Sequence, residues 1–201
     1  SNRNEGELYD WNNEPYLDLF QAEKTTTGDL VNVKSFSNSV NTKMHESNAV
    51  FTKDGKTMYF TRNNFINGKK GRDSKKVSHL KIYKAQFIDN QWTNISELPF
   101  NSNDYSVEHP ALSPDDKQLY FASDMPGSIG SFDLFVVDIL TDGSFGTPKN
   151  LGAKINTEHR EQFPFISSNN TIYFASDGHF GLGGLDIFKS EITNEVFSKP
   201  I

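Results

Sequence analysis

The chain has 201 residues and a net charge of −6. That length can bury a core without cross-links, and the acidity argues against a general affinity for nucleic acid or anionic membrane. Cysteine is absent, which excludes a disulfide scaffold, and no run approaches the roughly 20 apolar residues of a membrane-spanning helix, so direct membrane insertion is not expected. The opening residues do not read as a signal peptide.

In chain order, 1–13 reads as an N-terminal extension and 14–41 as the outer half of a repeating unit, with strands at Leu17-Asp18-Leu19-Phe20 and Leu30 to Phe36. A full unit spans 42–104. It opens with a hairpin, Asn48-Ala49-Val50-Phe51-Thr52 turning through Asp54-Gly55 into Met58-Tyr59-Phe60-Thr61, then adds Leu80-Lys81-Ile82-Tyr83 and a polar strand from Gln91 to Leu98. The second unit, 105–157, repeats this: His109-Pro110-Ala111-Leu112-Ser113, a turn at Asp115-Asp116, Leu119-Tyr120-Phe121-Ala122, Phe132-Asp133-Leu134-Phe135, and Ser144 to Leu151. The third, 158–201, has Phe163-Pro164-Phe165-Ile166-Ser167, a turn at Asn169-Asn170, Ile172-Tyr173-Phe174-Ala175, Leu185-Asp186-Ile187-Phe188, and a closing strand from Val196 to Ile201. The turn residues tolerate left-handed backbone or bond their own main chain, and the flanking runs are aromatic and β-branched, so each unit reads as four antiparallel strands.

Asp18 to Lys81 is 63 positions, Lys81 to Asp133 is 52 and Asp133 to Asp186 is 53, so the period is one four-stranded blade. Apolar residues come in short runs broken by Gly, Asn, Asp and Pro, without helical periodicity. The expected fold is all-β: β-propeller blades of four antiparallel strands forming an incomplete propeller of about three and a half blades, where about four to eight are needed for closure. Such an arc is expected to continue in a longer propeller; the alternative is a partner covering its open side. The innermost strands are expected at Ala49 to Thr52, Ala111 to Ser113 and Phe165 to Ser167. Tyr120, Phe121, Tyr173 and Phe174 should divide between the two faces of their blades.

The phrase from His109 through Pro110, Ser113 and Asp115 to Tyr120, Phe121 and Asp124 resembles the WD-like propeller repeats of the TolB type. Ser176-Asp177-Gly178 with Gly183-Gly184-Leu185-Asp186 looks more narrowly like the propeller of OmpA-family envelope proteins, some associated with type IX secretion and gliding. The resemblance makes Pro110, Ser113, Asp115, Tyr120, Phe121, Asp124, Asp133, Tyr173, Phe174, Asp177 and Asp186 structural positions of the repeat. It implies a periplasmic, outer-membrane-associated scaffold whose partners are envelope or secretion-system proteins, touching peptidoglycan only through a domain that this stretch does not contain. The first full blade departs from the pattern, with Lys53 in place of Pro114, Arg62 in place of Ser123, and no Gly-Gly-Leu-Asp phrase.

No constellation reads as catalytic. His45, His79, His109, His159 and His179 lack metal-ligand spacing, so no metal or cofactor is expected. Glu46, Glu108 and Glu161 recur at the start of each blade; repeated carboxylates suit a repeated bond or a binding mouth better than an acid and base pair, whose environments must differ. Calcium ligation is one reading of Asp18, Asp133 and Asp186, and bonding of the nearby backbone is the preferred one. The glycines of 178–184 open no helix, so a phosphate cradle is not read there, and Ser113, Ser123, Ser167 and Ser176 lie in no nucleophile elbow. The chain is therefore expected to be a binding or scaffolding module and not an enzyme. The propeller of a hydrolase, a peptidase or glycan-processing enzyme with its catalytic unit elsewhere, is the rival reading.

One feature breaks the repeat. Tyr59 to Lys81 is 22 positions, against 13 for Tyr120 to Asp133 and for Tyr173 to Asp186. The resulting insert, 63–80, carries Lys69, Lys70, Arg72, Lys75 and Lys76 against the single acid Asp73. Insertions in repeat proteins collect on one face, often the binding face. These five cations are the candidate partner-binding residues, on a loop expected to be mobile until an acidic partner orders it, the alternative being ordinary solvated surface.

Overall fold

The computed structural model describes residues 8–9, 13–66 and 69–201, without the side chains of 65–70. Most of the N-terminal extension read at 1–13 therefore lies outside the described residues. The described residues hold strands and no helix. β1 (Leu8–Tyr9) pairs with β2 (Glu14–Pro15), and β3 (Phe20–Lys24) with β4 (Leu30–Ser35). A four-stranded sheet follows from β5 (Glu46–Phe51), β6 (Thr57–Asn63), β9 (Leu80–Ile88) and β10 (Gln91–Glu97), with a small hairpin of β7 (Phe65–Ile66) and β8 (Lys69–Lys70) between its second and third strands. The next sheet runs β11 (Val107–Leu112), β12 (Gln118–Ser123), β13 (Asp133–Asp138) and β14 (Lys149–Asn150). The last runs β15 (Glu161–Ile166), β16 (Thr171–Ser176), β17 (Asp186–Thr193) and β18 (Val196–Phe197). All pairs are antiparallel, and β11 lies against both β5 and β15, so the first strands of successive sheets sit side by side at the inner edge.

The hairpins form where the turn chemistry demands. Gly55, Asp116 and Asn170 adopt φ of 67°, 59° and 56°. Thr52, Ser113 and Ser167 each donate a hydroxyl to the following Asp54, Asp115 or Asn169, and each accepts the N–H of Thr57, Gln118 or Thr171. The inner strands begin earlier than the residue pattern suggests, at Glu46, Val107 and Glu161, because each contains a β-bulge that breaks the in-and-out alternation. The half-unit's first strand starts at Phe20 rather than Leu17, and the second sheet's outermost strand shrinks to Lys149–Asn150 beside an Ile139 to Phe145 bridge.

Successive sheets pack face to face through their second strands. Tyr59 and Phe121 share one core cluster between the first two full sheets, Tyr120 and Phe174 share the next, and Phe60 turns back toward the half-unit with Met58 and Tyr83. Each tyrosine thus faces the following sheet and each phenylalanine the preceding one. Tyr173 has no sheet beyond it among the described residues and is exposed. Phe121 stacks between Phe100 and Phe135, at centroid distances of 5.0 and 5.8 Å.

An asparagine closes each of the first three units. Asn41, Asn101 and Asn156 accept the N–H of Leu19, Ile82 and Leu134 (3.0, 3.1 and 2.8 Å) and donate to the carbonyl of the same residue (2.9, 2.7 and 3.0 Å). One amide therefore takes the place of a strand neighbour, pinning the link between units to the third strand. Removing it leaves a buried donor and acceptor, so Asn156→Ala should cost about 2 to 4 kcal/mol. Phe121→Ala should cost about 3 to 5 kcal/mol and Tyr173→Ala below about 1 kcal/mol, all read by urea denaturation followed by circular dichroism.

Candidate functional site

The bulges set the site. Their central residues, Asn48, His109 and Phe163, stand at equivalent positions with φ of 48°, 55° and 53°. Left-handed backbone is unusual for a phenylalanine, and both His109 and Phe163 precede a proline, which steers a residue toward extended backbone. Such strain costs of order 1–3 kcal/mol and persists only where the surroundings enforce it. Here the His109 N–H donates to Thr61 Oγ1 (2.9 Å), and the His109 and Phe163 rings stack at 3.8 Å and 23°. All three residues line one open hollow of about 600 Å³, with Tyr9, Leu17, His45, Ser47, Asn63 and Leu80. Tyr9 and His45, whose rings meet edge to face at 4.8 Å, give it a second aromatic wall.

Behind the stacked rings lies a buried polar pair. Glu108 Oε1 accepts from Gln162 Nε2 (2.6 Å), and burial pushes the Glu108 carboxyl up to about 7, while burial lowers the His109 imidazole to about 4. The His109 Nδ1 to Glu108 Oε1 separation of 3.6 Å is too long for a hydrogen bond, and Nδ1 has no other bonding partner among the described residues. Two neutral groups side by side account for this better than an ion pair would.

The three carboxylates that recur in the sequence are not equivalent. Glu46 lies opposite Arg62 and Glu161 opposite Ser176, but Val107 is the residue opposite Ser123, so Glu108 points to the other side. The link from Asn101 to Val107 is one residue longer than those from Asn41 to Glu46 and Asn156 to Glu161, and a valine stands there in place of the glutamate. Glu46 and Glu161 bind Thr42 and Thr157 through backbone N–H and hydroxyl, a structural lock, and Glu108 alone is available behind the hollow.

The repeat positions serve loops and cores. Asp124 and Asp177 accept the N–H of Ser106 and Arg160. Asp133 accepts the N–H groups of Ile129 and Gly130, and Asp186 those of Leu182 and Gly183. A side chain at Gly181 would collide with the Asp186 carboxylate. Pro110 sits inside the bulge of β11, and Ser113, Asp115, Tyr120, Phe121, Tyr173 and Phe174 fall in the turns and strands described above.

The described part of the insert carries hydrogen bonds of its own. β7 and β8 pair, and Asp73 accepts the N–H groups of Lys75 and Val77 and meets His79 Nε2 at 3.2 Å, while His79 Nδ1 reaches Ser106. Arg72, Lys75 and Lys76 are exposed on this braced turn. The side chains of Lys69 and Lys70 lie outside the described residues. The stems of the insert, Asn63 and Leu80, form part of the hollow's wall. Among the described residues no three His, Asp or Glu side chains gather as a metal-binding group. The sequence reading missed Asn48, His109 and Phe163 as a set; their signal was a common offset of two residues after the first residue of each inner strand.

No protein-family model and no curated protein matches the sequence. Solved structures do resemble it. A puromycin hydrolase superposes with a TM-score of 0.55 at 13% identity, over 93% of this chain and 28% of its own. A protein assigned as TolB from Agrobacterium tumefaciens superposes with a TM-score of 0.51 at 16% identity, over 88% of this chain and 57% of its own. The chain thus has the TolB-type β-propeller fold in incomplete form, and it spans well under two thirds of the length of either neighbour.

The buried pair predicts a pH signature. A carboxyl raised from 4.5 to about 7 supports the fold below pH 4.5 and withdraws that support as pH rises to about 7. An imidazole lowered from 6.5 to about 4 does the reverse, withdrawing support as pH falls from 6.5 to about 4. The opposing slopes offset each other in the native chain. In Glu108→Gln the first is gone, so the stability of the variant relative to the native chain should grow by on the order of 3 kcal/mol between pH 4.5 and 7. Urea denaturation across that range measures it, and a constant difference would mean that Glu108 titrates alike in the folded and unfolded chain.

Proposed function

We propose that the chain is a non-catalytic binding module whose hollow receives an aromatic or apolar side chain of an acidic protein partner, in the periplasm of a bacterial envelope, within a secretion or gliding assembly. The observation that carries this reading is the convergence of three left-handed bulge residues, Asn48, His109 and Phe163, on one hollow. Strain repeated in successive blades and directed at a single concavity is what a recognition surface requires and a stability scaffold does not. The exposed cations of the insert, on a braced turn whose stems line the same hollow, supply the preference for acidic segments. The envelope setting rests on the resemblance of the Ser176 to Phe188 phrase.

The test is an array of peptides with one Trp or Phe flanked by Asp and Glu, presented to the native chain. Peptides with the aromatic residue should bind and their Ala counterparts should not. Phe163→Ala should weaken binding at least about tenfold, as loss of an aromatic anchor does, with little change in stability because the ring is half exposed. Arg72→Ser, Lys75→Ser and Lys76→Ser together should flatten the salt dependence. Mass spectrometry of the bound peptides should find them intact; cleavage would replace this reading with the hydrolase one.

A further inference from the structure

At two of the three junctions between successive units a lysine crosses the gap at the outer rim. Lys84 passes over the Phe145 ring at 5.9 Å and donates to the Gly143 carbonyl (3.4 Å), and Lys154 donates to the Phe197 carbonyl (2.8 Å). The junction between the half-unit and the first full sheet carries shorter side chains at both places. Gln21 stands where Lys84 does, two residues beyond the third-strand residue that the closing asparagine bonds, Leu19 or Ile82. Ser39 stands where Lys154 does, two residues before that asparagine. The Ser39 hydroxyl makes the bond that Lys154 makes, to the carbonyl of the aromatic residue on the fourth strand, here Trp92 (2.7 Å), but it is too short to span the gap. An open groove of about 760 Å³ is left beside Trp92. Its walls are β3, the link after β4 and the hairpin of β9 and β10, all outer elements, whereas the first two strands of each complete sheet lie inward of these.

The lining has one chemistry. Eight of its twelve residues carry amides or hydroxyls, four are apolar and none is charged, in a chain of which 23% is charged. Phe87, 39% exposed, lies beside the half-buried Trp92 at 5.1 Å, and Phe36 and Phe51 also pack on the indole at 5.8 and 5.6 Å. Asn94 is fixed by Gln86 (2.8 Å). We propose that this groove binds a neutral glycan, with a pyranose ring lying on Trp92 and Phe87 and its hydroxyls bonded by Asn38, Asn90, Gln91 and Asn94. The C–H groups on a sugar face carry slight positive charge and pack on the negative face of an aromatic ring. A sugar hydroxyl both donates and accepts, as a side-chain amide does, whereas a carboxylate only accepts and an ammonium only donates. A charged ligand would find no opposite charge on these walls, and a wholly apolar one would strip water from the amides without replacing its bonds. Rings already packed against one another need little further ordering on binding. The groove shares no residue with the hollow, so this inference stands apart from what the hollow receives.

The chain has two tryptophans, Trp11 and Trp92, so Trp11→Phe makes the fluorescence report on Trp92 alone. The probes are neutral tetrasaccharides of glucose, mannose and N-acetylglucosamine, titrated to about 10 mM, with a tetragalacturonate and a chitosan tetramer as charged controls. At least one neutral series should shift the emission and saturate, and raising NaCl to about 1 M, where screening acts within about 3 Å, should leave the curve unchanged. Asn38→Ala with Gln91→Ala, both at exposed positions, should weaken that binding about fivefold or more through lost hydrogen bonds. Gln21→Lys with Ser39→Lys reinstates the crossing lysines and should abolish binding while leaving the urea transition in place. The absence of a saturable response to every neutral glycan overturns the proposal. Equal or tighter binding of a charged control, weakened by salt, overturns it in favour of an ionic site. Undiminished binding in a lysine variant of native stability overturns it too, and undiminished binding in the Asn38 and Gln91 variant does so whether or not the lysine variant folds.

Discussion

Burial of each sheet on both sides is the constraint from which the rest of this structure follows. A strand presents alternate residues to opposite sides, so a sheet held between two neighbours needs adjacent large apolar residues in its second strand. The Tyr-Phe pairs at Tyr59 and Phe60, Tyr120 and Phe121, and Tyr173 and Phe174 meet that need, each ring entering a different core. The same demand explains why the third strands place isoleucine or leucine beside tyrosine or phenylalanine, as at Ile82 and Tyr83 or Leu134 and Phe135.

Packing on both sides leaves no solvent for the backbone where one unit passes to the next, and the polar residues are deployed to solve that problem. The outermost strands are short or frayed, so the third strand would otherwise leave its first N–H groups without partners. Asn41, Asn101 and Asn156 meet the need with a two-way amide bond, and Glu46 and Glu161 hold the following turns through Thr42 and Thr157. In the middle unit Val107 stands at that register position, and Glu108 turns to the other side of the strand, where burial beside His109 raises its carboxyl to about 7.

The repeat was legible from the sequence because the hairpin turns and the Tyr-Phe pairs recur at one spacing, and these produce the three four-stranded sheets. The inner strands were misplaced by several residues because a bulge interrupts alternation: after Asn48, His109 or Phe163 the sides exchange, and the run before it looks like a loop. The hollow was hidden for the same reason, since only the left-handed turn of those residues brings them together. The insert's charge could be read from its lysines and arginines, whereas the turn that Asp73 makes by bonding backbone groups and His79 is a pairing that composition does not reveal.

The hollow and the uncovered face of the last sheet are physically connected. Phe163 lies on the innermost strand of that sheet, forming one wall of the hollow, and Phe165, two residues along, lies exposed on the same strand. Asn48 and His109 are each backed by the sheet that follows their own, whereas among the described residues no sheet follows that of Phe163, whose ring stacks on His109. A blade seated on the open face would back Phe163 in the same way and hold its strained backbone more firmly. A ligand that needs Phe163 in this conformation would then bind the covered form more tightly, and by reciprocity its binding would strengthen the contact between blades. If the hollow binds a ligand as proposed, binding there and covering of this face would be coupled through one left-handed residue, by no more than the few kcal/mol that such strain can store.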